Sequence, residues 1–381
     1  MLTLAQAEQS IVVAVSDLDR DGWLFNTENG TIDLRTLEVK PHDAADLLTK
    51  IAGVRYDPEA ECPQWVAHMD RIFAGDQDLI RGFQQMCGYS LMAGNPEEVF
   101  FILWGSGRNG KSKTLQVLSD VWGDYARNTD ARKTILAQRN TERPATEWAA
   151  LVGARLVHCT EGKKGAALDE DMVKAITGRD EITCRRLYEK EFTYRPEFKV
   201  WFATNHRPRV SADKALWNRI WLVPFTVTIP PEEQDVYIAE KLLAERAGIL
   251  NWCLDGLQAF HEAGDRLVQP EAVRVATYEY RKDADNVARF CDEMLVFTGD
   301  ENDREDRAFV FRVYEEWALS SGERPVAQKA FAEALKIKGA VPDPRQVRIP
   351  ITNRDTGVVE GYKIVRMWRA VRFQAALGEA P

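Results

Sequence analysis

The period of the apolar positions changes several times along this chain, and the changes divide it. Residues 23–35, WLFNTENGTIDLR, alternate apolar and polar about Asn29-Gly30, which predicts a hairpin turning there. Residues 64–92 switch to helical spacing. Trp65, Met69, Ile72 and Phe73 share one face, as do Leu79, Ile80, Phe83, Met86 and Cys87, until Gly94-Asn95-Pro96 ends the run. Four short apolar runs follow, at 99–104, 154–160, 198–204 and 220–223. Amphipathic stretches at 112–121 and 168–177 lie among them, and this alternation predicts a mostly parallel sheet. ITCRRLYEKEFTYRP, from residue 182, alternates again and predicts a second hairpin. Past Pro230-Pro231, residues 232–296 are helix-rich. Residues 309–319 and 326–337 then read as two helices, and 347–351 and 362–368 as two strands.

The expected fold class is therefore α/β. Residues 1–95 form an N-terminal α+β lead-in, 96–230 a nucleotide-binding domain, 231–300 a helical segment, and 301–381 a small winged-helix-like module.

Composition narrows the function. The 381 residues hold 50 Lys and Arg against 59 Asp and Glu, a net charge of −9. Such a surface repels nucleic acid as a whole, so any binding needs a local basic feature. Six cysteines are scattered without C-x-x-C spacing, and five histidines form no ligand pair, so a zinc site is not expected. The sequence MLTLAQAEQSIVVAVSDLDRDG has no basic n-region, and no apolar run is long enough to span a membrane. A soluble cytosolic protein, with no membrane partner, is the expectation.

The chemistry begins at residue 101, in FILWGSGRNGKSKTLQ. Gly105, Gly110, Lys111 and Ser112 fit G-x-x-x-x-G-K-[ST] between a predicted strand and a predicted helix. Glycines let such a loop turn its N–H groups toward phosphate oxygens. The lysine reaches the β- and γ-phosphates, and the serine hydroxyl ligates Mg²⁺. The helix N-terminus favours the same anion. Gly105, Gly107, Arg108, Asn109, Gly110, Lys111, Ser112 and Lys113 are thus the candidate cradle for ATP. Three further residues sit where such chemistry needs them. Glu161 ends one strand, a place for an acid on the metal side, and Asn205 ends another, where an amide can meet the γ-phosphate or the attacking water. Arg219 precedes a third and could stabilise transition-state charge in a neighbouring subunit. The 182–196 hairpin carries Arg185, Arg186 and Lys190 around Tyr188, which suits phosphate contact with base stacking.

The order of these features resembles superfamily-three helicases. More closely, TGRDEITCRRLYEKEF, FKVWFATNHRPRV and DKALWNRIWLVPFTVTIP resemble the helicase part of phage and plasmid primase-helicases, related to the poxvirus primase-helicase. WLFNTENGTIDLRT and AECPQW…IFAGDQDLIRGFQQMCGYSL resemble the segment before that motor. The resemblance implies an AAA+-like ATPase domain and a ring, usually a hexamer, that moves on single-stranded or forked DNA in replication. It implies Lys111, Glu161, Asn205 and Arg219 as catalytic, with Arg219 the finger from the next subunit and Ser112 and Glu161 on the metal. It places Arg185, Arg186, Tyr188 and Lys190 in the pore. Two departures stand out. Glu161 is followed by Gly162, Lys163 and Lys164 where relatives commonly carry further acids, so Asp169 or Glu170 could assist it. The primase half usually fused upstream is also absent, which implies a fragment or a separate primase-polymerase partner. A phage- or plasmid-encoded chain would work in the bacterial host cytoplasm. The rival readings are an origin-melting initiator ATPase and, from another class, a metabolic P-loop kinase.

Overall fold

In the computed structural model, which describes residues 13–137, 145–160, 165–178, 180–211, 213–323, 325–352 and 359–374, the chain divides into two units, Met1–Tyr280 and Arg281–Pro381. The first opens with an antiparallel sheet of β1 (Leu24–Thr27), β2 (Gly30–Asp33) and β3 (Glu38–Lys40). The β1–β2 turn falls on Glu28-Asn29, one residue earlier than the Asn-Gly pair predicts, because Thr27 pairs with Gly30. Asn29 is held there from outside the hairpin. Its side chain accepts from Tyr56 N at 2.8 Å and donates to Tyr56 O at 2.9 Å.

The run 64–92 is two helices, α1 (Pro63–Ile72) and α2 (Gln77–Tyr89). Between them Ala74 and Gly75 take positive φ, and Asp76 caps α2 by accepting from Asp78 N and Leu79 N. Then comes the main sheet: β4 (Phe100–Trp104), β5 (Ala126–Asp130), β6 (Leu156–Thr160), β9 (Lys199–Thr204) and β10 (Ile220–Pro224). Its order is β10-β4-β9-β6-β5, with every neighbouring pair parallel. The three central strands are near-continuous apolar runs because helices or loops cover both faces. Helix α3 (Lys111–Trp122) follows β4, and α4 (Glu170–Thr177) follows β6. The antiparallel pair β7 (Ile182–Arg185) and β8 (Glu191–Tyr194) is inserted before β9. Helix α5 (Arg246–Glu262) closes over α2.

The lead-in and the sheet share one core, from Phe25 through Trp65, Phe83, Trp122 and Trp201 to Leu257. Ser90 satisfies two indoles within it. Its carbonyl accepts from Trp122 Nε1 and its hydroxyl from Trp201 Nε1, both at 3.1 Å. A buried cation ties the lead-in down. Arg155, just before β6, donates to Leu91 O and Leu24 O at 2.7 Å each, and its guanidinium lies 4.4 Å from the Tyr125 ring centroid.

The second unit packs α6 (Asn286–Met294), α7 (Arg307–Ser320) and α8 (Gln328–Ile337) around Phe290, Tyr314 and Phe331. Tyr314 and Phe331 stack at 4.5 Å. Strands β11 (Leu295–Phe297) and β15 (Val371–Phe373) pair, and β12 (Arg304–Asp306), β14 (Val359–Arg369) and β13 (Val341–Thr352) form a sheet in that order. The two long strands exceed the predicted ones at both ends. Among the described residues no helix is long and apolar enough to cross a membrane, and all six cysteines are buried and free.

Arg155→Ala should destabilise the first unit by about 2–6 kcal/mol, because two buried carbonyls lose their donor at about 1–3 kcal/mol each. Urea unfolding followed by tryptophan fluorescence reads this. A change under about 0.5 kcal/mol would show that the lead-in is held by apolar packing alone.

Candidate active site

Trp104 ends β4 and Lys111 begins α3, so six residues must turn the chain from strand to helix. They do so with positive φ at Gly107 (100°), Arg108 (50°) and Gly110 (86°). Gly110 is constrained twice. A Cβ there would also lie 2.7 Å from Ile72 Cγ2 on α1. The loop is pinned from across the sheet, where Asn109 Nδ2 donates to Phe225 O, just past β10, at 3.1 Å.

This loop holds a buried ammonium. Lys111 is 4% exposed. Its Nζ donates to Gly105 O and Asn109 Oδ1 at 2.9 Å and to Asn205 Oδ1 at 3.3 Å. All three acceptors are neutral, and no carboxylate bonds it among the described residues. Burial lowers its pKa to about 8. At neutral pH it remains charged and has no counter-ion among the described residues, which suits the loop to seat an anion.

The open space agrees with the charge. A cleft of about 290 Å³ is lined by the loop from Gly107 to Lys113 and by Thr160, Ala203, Thr204 and Asn205 at the ends of β6 and β9. It lies at the C-terminal edge of the parallel strands, where such sheets place ligands. Lys111, Ser112, Lys113 and Asn205 are thus brought together as the sequence predicts. Glu161 follows Thr160 but lies outside the described residues. Its suggested helpers are engaged elsewhere. Asp169 caps α4 by accepting from Met172 N, and Glu170 accepts from Ser211 N at 2.6 Å and Ser211 Oγ at 2.7 Å. Neither lines the cleft. Among the described residues no group of three or more His, Cys, Asp or Glu is arranged to hold a metal ion.

Sequence reasoning missed a second cavity on the other side of the loop, of about 610 Å³. One wall is α1, with Gln64, Ala67, His68 and Arg71. The other is the segment 229–238, after β10. Ile229 N donates to Arg108 O at 2.8 Å, and Arg71 pairs with Glu233 at 2.5 Å across the cavity. His68 Nε2 lies 3.1 Å from Thr114 Oγ1 and braces α3. Burial lowers the His68 pKa to about 4, so it stays neutral there. Apart from lying on the apolar face of α1, it gives no signal in the sequence, since its partner is 46 residues away.

Arg219 lies elsewhere. It precedes β10, whose first residue pairs with Phe100 at the N-terminal end of β4, so it does not reach the cleft of its own chain. Its guanidinium is bound to Glu98 Oε2 at 2.5 Å, Thr177 Oγ1 at 3.1 Å and Ala215 O at 2.8 Å. The β7–β8 hairpin is likewise remote from the cleft lining. Arg185, Arg186, Tyr188 and Lys190 are all exposed on it, and Tyr188 stands free at the tip with φ 64°. Arg186 covers the Phe192 ring at 5.3 Å.

Two family models match the chain: one described as D5 N terminal like over residues 1–74, and a family of unknown function (DUF5906) over residues 103–219. A curated relative, "Putative helicase L207/L206" of Acanthamoeba polyphaga mimivirus, is 26% identical over 301 residues, which are 74% of this chain and 31% of that protein. Another, "Putative primase C962R" of African swine fever virus, is 20% identical over 325 residues, 80% of this chain and 34% of that protein. The chain spans about a third of the length of these curated relatives. Among solved structures, the A form apo structure of the NrS-1 C terminal region matches with a TM-score of 0.53 over 85% of this chain and 79% of that one. At 13% identity the two share a fold. The D5 N terminal like match over residues 1–74, with relatives named as helicases and primases of large DNA viruses, makes this chain similar to D5-like primase-helicases and supports that family.

Proposed function

We propose that this chain is the motor of an ATP-driven DNA helicase of viral, phage or plasmid replication. The observation that carries the reading is the buried Lys111 ammonium, without a carboxylate partner among the described residues, at the mouth of a cleft where a parallel sheet ends. On this reading the triphosphate lies in the smaller cleft, with its β- and γ-oxygens on Lys111 and the loop N–H groups. The nucleoside extends into the larger cavity between α1 and residues 229–238. Asn205, already bonded to Lys111, orients the attacking water or the γ-phosphate. Ser112 lines the cleft, and its hydroxyl, with phosphate and water oxygens, makes the all-oxygen set that Mg²⁺ prefers, Glu161 completing it. When bound, Mg²⁺ neutralises charge on the phosphates.

Arg219 acts in trans on this reading. Within its own chain Glu98 holds it, and subunit assembly would exchange that partner for the neighbouring γ-phosphate. A ring, most simply a hexamer, then places the exposed β7–β8 hairpins around a central strand, with Arg185, Arg186 and Lys190 on phosphates and Tyr188 against bases. The domain limits proposed are 1–95, 96–230, 231–300 and 301–381, with an AAA+-like motor and a winged-helix-like end. A primase activity would come from a further part of the protein or from a partner, and the work would be done in the cytoplasm of a host cell.

ATP turnover with and without single-stranded DNA tests the reading. DNA should stimulate turnover in the wild type, and Lys111→Ala should abolish it, because the charge on the β- and γ-phosphates is gone. Turnover unchanged in Lys111→Ala would refute the nucleotide assignment, and turnover indifferent to DNA would refute the motor.

Arg219→Ala should keep ATP binding and lose about 10³-fold or more in turnover. Mixing it with Lys111→Ala protein should restore part of the activity, since a mixed ring contains interfaces with both an intact finger and an intact loop. Mixtures that stay inactive at every ratio would show that Arg219 does not work across subunits.

A further inference from the structure

The outer face of the β13–β14 hairpin has a composition that solvation does not account for. In its register Gln346 faces Arg366, Arg348 faces Ile364 and Pro350 faces Tyr362. Side chains alternate across a strand, so these six share one face. The intervening pairs, Val347 with Val365 and Ile349 with Lys363, take the other. That second face is the inner one near its base, where Val365 is buried and Val347 and Ile349 are half-buried. The first face is exposed at all six positions. It carries Tyr362 at 65% exposure and Ile364 at 59% beside Arg348 and Arg366, with no carboxylate among these six residues. No hydrogen bond or ion pair joins the guanidinium of Arg348 or Arg366 to any described residue. By contrast Arg304, Lys363 and Arg369 in the same sheet each have an acid partner. Two unpaired arginines are notable in a chain whose acids outnumber its bases, 59 to 50.

From this face we infer a second nucleic-acid contact, separate from the β7–β8 hairpin and from the ATP cleft: single-stranded DNA crosses it, with phosphates on Arg348 and Arg366 and a base on Tyr362. Charge complementarity selects a polyanion, since no acid among the described residues satisfies the two guanidinium groups. The exposed phenol and the isoleucine beside it select one with flat apolar faces, which nucleobases provide and an acidic peptide does not. The edge of the sheet argues against a protein strand as the occupant. β13 is an edge strand, the one this hairpin presents, and Pro342, Pro344 and Pro350 remove N–H donors that an added strand would need. The inference does not depend on ATP binding and stands or falls apart from the motor reading.

The test is fluorescence anisotropy of a labelled oligothymidylate with the full chain, without nucleotide, across a salt titration. The double variant Arg348→Ala, Arg366→Ala should flatten the slope of log K against log salt by about 1.4 per subunit engaged, at about 0.7 for each lost phosphate contact. Tyr362→Ala should weaken binding about 5- to 150-fold, as expected for loss of one stacked base, and leave the slope unchanged. All three positions are exposed, so the melting temperature and DNA-independent ATP turnover should stay at wild-type values. Wild-type affinity and slope in both variants would overturn the inference, as would absence of oligonucleotide binding by the wild type at low salt. Equal competition by poly-glutamate would reduce the face to a general anion surface and overturn it too. Lys190→Ala in parallel separates the two contacts. If it alone removes all binding, the β7–β8 hairpin stands and the β13–β14 contact fails.

Discussion

The buried Lys111 ammonium organises the cleft of the first unit. Lys111 is buried at the first turn of α3, and its charge is expensive there unless polar groups surround it. The fold answers with carbonyl oxygens from Gly105, Asn109 and Asn205. Each of these is fixed by a different strand. Gly105 continues β4, Asn205 ends β9, and Asn109 is tied to Phe225 beyond β10. The parallel order β10-β4-β9 is what brings the three ends to one place. Neutral oxygens satisfy the hydrogen bonds, and no carboxylate among the described residues compensates the charge, so an anion is suited to the mouth of the cleft.

The N-terminal lead-in belongs to the same machine. Helix α1 presses Ile72 and His68 against Gly110 and Thr114, so the back of the 105–110 loop is built by residues well before it. Arg155 stitches β1 and the end of α2 to the entry of β6. The two family matches, 1–74 and 103–219, therefore describe segments that meet at the loop. A change in the lead-in can alter the loop around Lys111 without touching a motif.

Local features were readable in the residues, and long-range ones were not. The strand–loop–helix around Lys111 announces itself because its glycines, lysine and serine are contiguous. Asn205 and the β7–β8 hairpin could be placed because apolar runs and alternation mark strand ends. The strand β5, ARNTD, escaped, since an edge strand with one buried residue has no apolar pattern to detect. The β1–β2 turn moved by one residue because Tyr56 anchors Asn29 from 27 positions away. His68, Phe225 and the wall at 229–238 join the site only through tertiary packing, and no local pattern marks such a contact. The tie between Arg219 and Glu98 is of the same kind.

The claim that the Lys111 ammonium seats the triphosphate is tested most directly by calorimetric titration of ATP with Mg²⁺ from pH 7 to 9.5. In the free protein Lys111 titrates at about 8, and bound phosphate favours its charged form, so its pKa in the complex is higher. Below pH 8 the charge is already present and affinity should be flat. Between the two pKa values binding must take up a proton, so affinity should fall about tenfold per pH unit, with proton uptake visible as a dependence of the measured heat on the buffer. Binding that stays pH-independent to 9.5, or no binding at all, would contradict the account.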